Sequence, residues 1–235
     1  MRLVLTAGVP GPFGEAARYV FDVKKIPYVR VAQIPVQSDD ALRAWTAQTS
    51  APVAILDDER PRSSWVEILY LAERLSSTPR LIPQDPTLRM LMFGLAHEIC
   101  GDGGFGWQRR LMMVHAQPDG VLAHLGLKYG YTPETGAAAP ERSAEILRTL
   151  SQTLLAQRER GSRYLVGNEL TAVDLHWAAF SPMLEPLPPE LCPMPAGLRA
   201  AYALPSGAVR DAADPLLLEH RDFIYRDHIG LPLDF

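Results

Sequence analysis

The chain has 235 residues, a net charge of −4, and a composition that is 47% hydrophobic and 21% charged. That length supports one large domain or two smaller ones with real cores, and the mildly acidic balance excludes the basic stripe of a nucleic-acid-binding surface. The two cysteines, Cys100 and Cys192, exclude a disulfide framework or a cysteine metal site. No apolar run is long enough for a membrane span or a secretory leader, so the expectation is a cytoplasmic protein with no membrane partner.

Arg2–Thr6 is a short apolar run suited to a buried strand, and Ala7-Gly-Val-Pro-Gly-Pro12 is a turn. Phe13, Ala17, Val20 and Phe21 then recur at helical spacing up to Lys24-Lys25. Tyr28–Ala32 reads as a second strand, Asp39–Thr46 as a short helix and Val53–Leu56 as a third strand. A fourth short strand before Ser63 has no clear position. Ile68, Leu69, Leu71, Ala72 and Leu75 give the next helix its apolar face. Beyond Ser76–Asp85 the pattern is helical throughout. Asp85 caps a helix with Pro86 at its first position, and Leu88, Leu91, Met92, Leu95, Ala96 and Ile99 form its core stripe. Gly101, Gly103, Gly104 and Gly106 interrupt it before a helix from Trp107 to about His115. Gln117–Ala139 is loop-rich and has no clear assignment, and Pro140 opens a helix carrying Ile146, Leu147, Leu150 and Leu154 that stops at Gly161. Pro182–Pro205 reads as an irregular connection, and the tail from about Asp214 is helical. The expectation is therefore a small α/β domain, residues 1–78, followed by an all-helical domain, residues 85–235.

One stretch is more informative than the rest: Tyr164-Leu-Val-Gly-Asn-Glu-Leu-Thr-Ala-Val-Asp174. Thr171 is placed to cap free backbone amides, and Asp174 to reach back to the amide of Thr171. Leu170 and Leu175 flank the cap as a hydrophobic staple. The segment Leu175-His-Trp-Ala-Ala-Phe180 is apolar on nearly every side, so the helix is expected to be buried, with His176 a hydrogen-bonded core residue.

This order of elements, with that cap box, resembles the cytosolic glutathione transferases. The likeness is carried by Gly167-Asn-Glu-Leu-Thr-Ala-Val-Asp174, by Ser50-Ala-Pro-Val-Ala-Ile-Leu56, and by Ser63-Ser-Trp-Val-Glu-Ile-Leu-Tyr-Leu-Ala-Glu-Arg74. It implies a thioredoxin-like N-terminal domain, a helical-bundle C-terminal domain, glutathione as co-substrate, a small hydrophobic electrophile as second substrate, and a homodimer. By the same resemblance Ala51 and a cis Pro52 present backbone to the extended glutathione peptide, and Ser63 and Ser64 meet its γ-glutamyl carboxylate at a helix start. Ser64-Trp-Val-Glu67 is also a capping box in its own right, so these serines are either ligand groups or plain caps. Trp45 and Gln48 precede the proline loop near the glycine end of glutathione, with Arg43 either a partner for that carboxylate or a solvated charge.

The resemblance fails at the thiol. Counting from Arg18, the tyrosine position of the family holds Ala7 and the serine or cysteine position holds Gly11. No Ser, Cys or Tyr occurs between Ala7 and Arg18, which leaves Thr6 as the only nearby hydroxyl. Met90, Phe93 and His97 form a second stripe on their helix and, with Trp107, are the candidates for the second-substrate cleft; a dimer contact is the alternative. Arg110 and His115 follow Trp107 as further cleft candidates, and His220, Arg221, Tyr225 and His228 lie on a tail that either closes over the site or is a solvated helix. His97-Glu98-Ile-Cys100 lacks the second histidine of a helical zinc motif, so no metal is expected. Two functions remain: a glutathione transferase, or a non-catalytic relative that binds a ligand or partner.

Overall fold

The structure, a computed structural model, describes residues 1–34, 37–120, 122–203 and 207–235. β1 (Arg2–Thr6), α1 (Pro12–Val23), β2 (Val29–Gln33), α2 (Asp40–Thr46), β3 (Val53–Ile55) and α3 (Trp65–Leu75) form the first layer structure. The sheet order is β2-β1-β3, with β1 parallel to β2 and antiparallel to β3. The strand looked for before Ser63 is a single antiparallel bridge between Ala54 and Arg62. Alternation sorts the two faces of β1. Leu3 joins the large core with α1 and α3, while Val4 packs with Val53 and Ile55 under Leu42 of α2.

The helical part comprises α4 (Pro86–Cys100), α5 (Phe105–Ala116), α6 (Leu125–Tyr129), α7 (Pro133–Glu159), α8 (Ala172–Phe180), a 3-10 turn at Ser181–Met183, α9 (Ala196–Tyr202), α10 (Ala208–Asp211) and α11 (Pro215–Ile224), which widens into a π turn at Tyr225–Ile229. This is a thioredoxin-like N-terminal domain followed by a helical C-terminal domain. Among the described residues no helix is long and apolar enough to cross a membrane.

Two expectations are corrected here. Pro140 does not open a helix: α7 begins at Pro133 and carries Pro140 inside it. The true start is the reciprocal cap of Thr132 and Thr135, whose hydroxyls each accept the other's backbone amide at 2.8 and 3.2 Å. The segment Gln117–Ala139 is thus not all loop, since it contains α6 and the first turns of α7. The Pro182–Pro205 connection holds the 3-10 turn and α9, and its last two positions, Leu204 and Pro205, lie outside the described residues.

α8 is the centre of the molecule. Every residue from Ala172 to Phe180 is buried, and its N-terminus has no water to satisfy it. Asp174 supplies the partners. One carboxylate oxygen accepts from the amide and the hydroxyl of Thr171, each at 2.9 Å, and the other from the Leu165 amide at 2.8 Å and His220 Nε2 at 2.9 Å. Leu170 and Leu175 are both buried in the main core, as a staple requires. The interdomain segment completes the cap, because the Leu81 carbonyl accepts the Ala172 amide at 2.9 Å. Leu81 is itself held from the other side, its amide bonded to Glu73, whose carboxylate also binds the buried Lys24 at 2.7 Å.

Gly106 shows how closely α5 approaches α8. A Cβ at this position would overlap the ring of Phe180, which is fully buried. Gly106→Ala is expected to cost about 1–3 kcal/mol, at about 2–4 °C of Tm per kcal/mol, measured by calorimetric melting. An unchanged Tm would mean that the ring has room to turn.

His176 on α8 is 1% exposed, edge-on to Trp65 with ring centroids 5.4 Å apart, and its Nδ1 lies 3.7 Å from Cys100 Sγ. Burial pushes its pKa down to about 4. A folded pKa below the unfolded value near 6.5 contributes stability that is present above pH 6.5 and lost as pH falls through about 4. Relative to His176→Gln, the wild type should therefore lose about 3 kcal/mol between pH 7 and 4. Urea unfolding of both proteins across this range reads the difference; a constant difference would show that His176 is not held neutral.

Candidate functional site

The site lies where β1 ends and α1 begins. Gly11 is the residue before α1, in extended backbone with φ −68° and ψ 110°, and no side chain caps the helix. Pro12 has no amide to offer, but the amides of Phe13 and Gly14 point out of the first turn without partners among the described residues. They make the positive end of a helix dipole in front of the turn. Thr6 faces the same place: a Cβ at Gly11 would sit 3.7 Å from Thr6 Oγ1. The Thr6 hydroxyl is partly exposed and makes no hydrogen bond among the described residues. Ala7 supplies only its amide, which binds the Gln33 carbonyl at 2.9 Å.

The proline loop lies beside it, and its Ala51–Pro52 bond is cis, as the resemblance implies. The Ala51 amide, part of the backbone expected to meet an extended peptide, already has a partner inside the chain. Gln33 Oε1 accepts it at 2.8 Å. The same side-chain amide donates to Asp39 Oδ1 at 2.8 Å and to the Thr49 carbonyl at 3.2 Å, so Gln33 ties β2, α2 and the proline loop together. Lys128 of α6 reaches over from the helical domain and donates to Ser50 Oγ at 2.9 Å. Desolvation against the neighbouring domain, and then the charge of Arg110, lower its pKa from the ordinary lysine value although the residue is exposed. Neither Gln33 nor Lys128 was singled out from the sequence. Gln33 left one signal, a polar residue in register with Thr6 at the end of a strand. Lys128 left none, because its segment reads as loop.

Ser64 is the N-cap of α3 and accepts the Glu67 amide at 3.3 Å. The reciprocal half of that box is not made, because the Glu67 carboxylate turns to Arg60 at 2.6 Å. That hydrogen bond is the main cause of the lowered pKa of Glu67, so a negative charge stands one turn from Ser64 with Arg60 beside it. Ser63 is partly exposed next to it. Trp45 is 44% exposed on α2, free of any stacking partner among the described residues, and Gln48 follows, with its amide bonded to Thr46 Oγ1 at 3.1 Å. Arg43 is exposed and forms no ion pair among the described residues.

The four residues expected in a second-substrate cleft fall into two places. Phe93 stacks on Tyr70 at 5.7 Å and leans on Trp65 at 6.1 Å, with Met90 69% exposed on the same helix. His97 is exposed and lies over Gly101, which has no Cβ to obstruct the ring. Trp107 points elsewhere: its Nε1 donates to the Tyr129 carbonyl at 2.9 Å, and the two rings meet edge to face. Trp107 packs on a small cluster of Leu111, Tyr129 and Ala139 that Phe13 at the start of α1 also meets, and Phe93 is not part of it. The physical reason is the break at Gly101–Gly104, which sets α4 and α5 as separate helices with their own faces. His115 pairs with the Tyr131 hydroxyl at 3.2 Å. In the tail His220 and Arg221 are buried in the scaffold, His220 on Asp174 and Arg221 on the Glu185 carbonyl at 2.7 Å. Tyr225 is buried too and donates to the Ala178 carbonyl at 2.8 Å, while His228 meets the Tyr164 hydroxyl at 3.2 Å.

The fold defined by these elements is that of the glutathione S-transferase superfamily. A glutathione S-transferase from Methylobacillus flagellatus KT, solved with glutathione bound, matches with a TM-score of 0.70 at 16% identity, over 97% of this chain and 96% of that one. One from Methylobacterium radiotolerans JCM 2831, in complex with glutathione sulfonate, matches at 0.67 and 18%, over 97% of this chain and 92% of that one. A glutathione S-transferase domain-containing protein from Marinobacter aquaeolei VT8 matches at 0.66 and 18%, over 98% and 100%. No protein-family model matches the sequence, and no curated protein matches it significantly. Identities this low establish the fold, and the chemistry has to be argued from the site.

Proposed function

We propose that the chain is a glutathione S-transferase-like protein that binds glutathione and transfers its sulfur to a small hydrophobic electrophile. The domains of this reading are residues 1–78, which bind glutathione, and residues 85–235, which supply the second pocket. The observation that carries the proposal is the pairing of the uncapped α1 N-terminus with the Thr6 hydroxyl at the Gly11 position. A free thiol has a pKa near about 8.5, and oriented amides plus a hydroxyl favour the anion. The thiolate sulfur then forms a bond to the electrophilic carbon, the leaving group departs with its electron pair, and the thiol proton passes to solvent. Ser63 and Ser64 at the start of α3 take the γ-glutamyl carboxylate, Trp45 and Gln48 flank the glycine end, and Ala51 and Pro52 line the peptide between. Glutathione displaces Gln33 from the Ala51 amide on binding, or uses the Ala51 carbonyl alone. The proposed protein is a homodimer, paired through the face of α3 and α4 that exposes Tyr70, Met90 and Leu91.

A second reading, a non-catalytic ligand-binding or interaction protein, is favoured by Gln33 on the Ala51 amide and Lys128 across Ser50. Titration calorimetry with glutathione separates the two. The first reading expects binding in the millimolar range or tighter, weakened about tenfold by Ser64→Ala, which removes one hydrogen bond to a charged group. Absence of binding at ten millimolar would leave only the second reading.

A further inference from the structure

Among the described residues the buried cations are paired with carboxylates in every case but one. Arg18 has Glu15 at 2.6 Å, Lys24 has Glu73 at 2.7 Å and Arg221 has Asp222 at 2.8 Å. Arg109 of α5 is 3% exposed, yet has no carboxylate partner among the described residues. Its Nε donates to the Met183 carbonyl at 2.8 Å, Nη2 to the Ala201 carbonyl at 3.3 Å, and Nη1 to Met112 Sδ at 3.5 Å. A guanidinium carries five N–H groups, so one on each terminal nitrogen is left over. Its neighbour Arg110 has only neutral partners as well, binding the Tyr202 hydroxyl at 3.0 Å, with its Nε buried and unpartnered. Burial pushes the pKa of Arg109 down, with the charge of Arg110 adding to the effect, to about 10, which still leaves it charged at neutral pH. A buried charge without a partner is costly. A buried guanidinium with no anion among the described residues, beside a second cation that has none either, marks a place for an anion from outside.

The space for it is present. Arg109 lines a cavity of about 800 Å³ together with Met112, Met113, Leu122, Leu198 and Ala201. The volume is that of a small-molecule site, about 300–1,000 Å³, and apart from the Arg109 guanidinium and Gln117 the lining side chains are apolar. Ala51, Ser63, Ser64 and Trp107 do not line it. We propose that this cavity binds an amphiphilic monocarboxylate, its two oxygens forked on the free Nη1 and Nη2 hydrogens of Arg109 and its aliphatic chain laid along Met112, Met113, Leu122 and Leu198. The bidentate fork matches carboxylate geometry, and the thioether side chains adapt to a flexible tail. This site does not depend on glutathione binding, so either can fail without the other.

The test is titration calorimetry of the full chain with octanoate, and with octanamide as the neutral isostere. Octanoate is expected to bind one to one and at least tenfold tighter than octanamide. Arg109→Met should erase that preference, and Ala200→Trp, from an exposed position on the cavity wall, should weaken both ligands at least tenfold. Because Arg109 also holds two carbonyls, its variant is scored only if it melts cooperatively; otherwise the octanoate preference and Ala200→Trp carry the decision. Octanoate binding no tighter than octanamide, or octanoate binding unchanged by Ala200→Trp, overturns the proposal.

Discussion

Asp174→Ala is expected to abolish soluble, cooperatively folded protein. The carboxylate is fully buried and accepts from four donors: the Leu165 amide, the Thr171 amide and hydroxyl, and His220 Nε2. Alanine leaves all four without a partner in a place water does not reach. Each buried donor deprived of its acceptor costs about 1–3 kcal/mol, and together they reach about 4–6 kcal/mol or more. A domain is stable by only about 5–15 kcal/mol in total. Burial raises the pKa of Asp174 to about 6 in spite of these hydrogen bonds, so the site holds an ionised carboxylate at neutral pH with His220, whose pKa burial lowers to about 3, donating as the neutral ring. Asp174→Asn keeps the shape and part of the acceptor capacity, and should be intermediate. The measurement is the soluble fraction on expression, followed by thermal melting in circular dichroism. A soluble alanine variant that melts cooperatively within a few degrees of wild type would show that other groups cap α8.

Gly11→Ser is expected to raise glutathione conjugation by about 10–100-fold, the scale of one well-placed donor to a developing or stored anion. The position admits the side chain. Its φ of −68° is ordinary for any residue, and a Cβ there would meet only Thr6, at 3.7 Å from Oγ1 and 3.8 Å from Cβ. The serine hydroxyl would join Thr6 and the free amides of Phe13 and Gly14 in front of α1. Gly11→Ala fits the same space without a hydroxyl and should leave the rate unchanged, while Thr6→Val should lower it. The assay is the absorbance change on reaction of glutathione with chlorodinitrobenzene, alongside ultraviolet titration of the bound thiolate. Equal rates for Gly11→Ser and Gly11→Ala would show that the sulfur is not held at this turn.

Most of the scaffold was legible because its signals are local. The period of Leu88, Met92, Leu95 and Ile99 places α4, and the Thr171–Asp174 box places the start of α8 to the residue. Where local signals conflict, the stronger neighbour prevails. Pro140 ordinarily marks a helix boundary, but the reciprocal Thr132 and Thr135 cap with Pro133 behind it nucleates α7 earlier and carries the chain through. The partition of Phe93 and Trp107 was not legible, since equal spacing along two helical segments says nothing of how the Gly101–Gly104 break orients one against the other.

The sequence by itself determined the order of elements as far as α5, the buried central helix with its box, the cis-proline loop and serine cap as a pair of signatures, and the lack of a hydroxyl or thiol at Ala7 and Gly11. The first two follow from residue type and short spacing, the others from the resemblance those residues carry. Only the tertiary structure decided that Thr6 faces the Gly11 turn, that Gln33 occupies the Ala51 amide, that Lys128 crosses to Ser50, and that Arg109 is buried beside a cavity without a carboxylate. Those are meetings of groups up to 92 residues apart. They arise from how helices and strands pack, and a one-dimensional period carries no record of which polar ends that packing leaves facing each other.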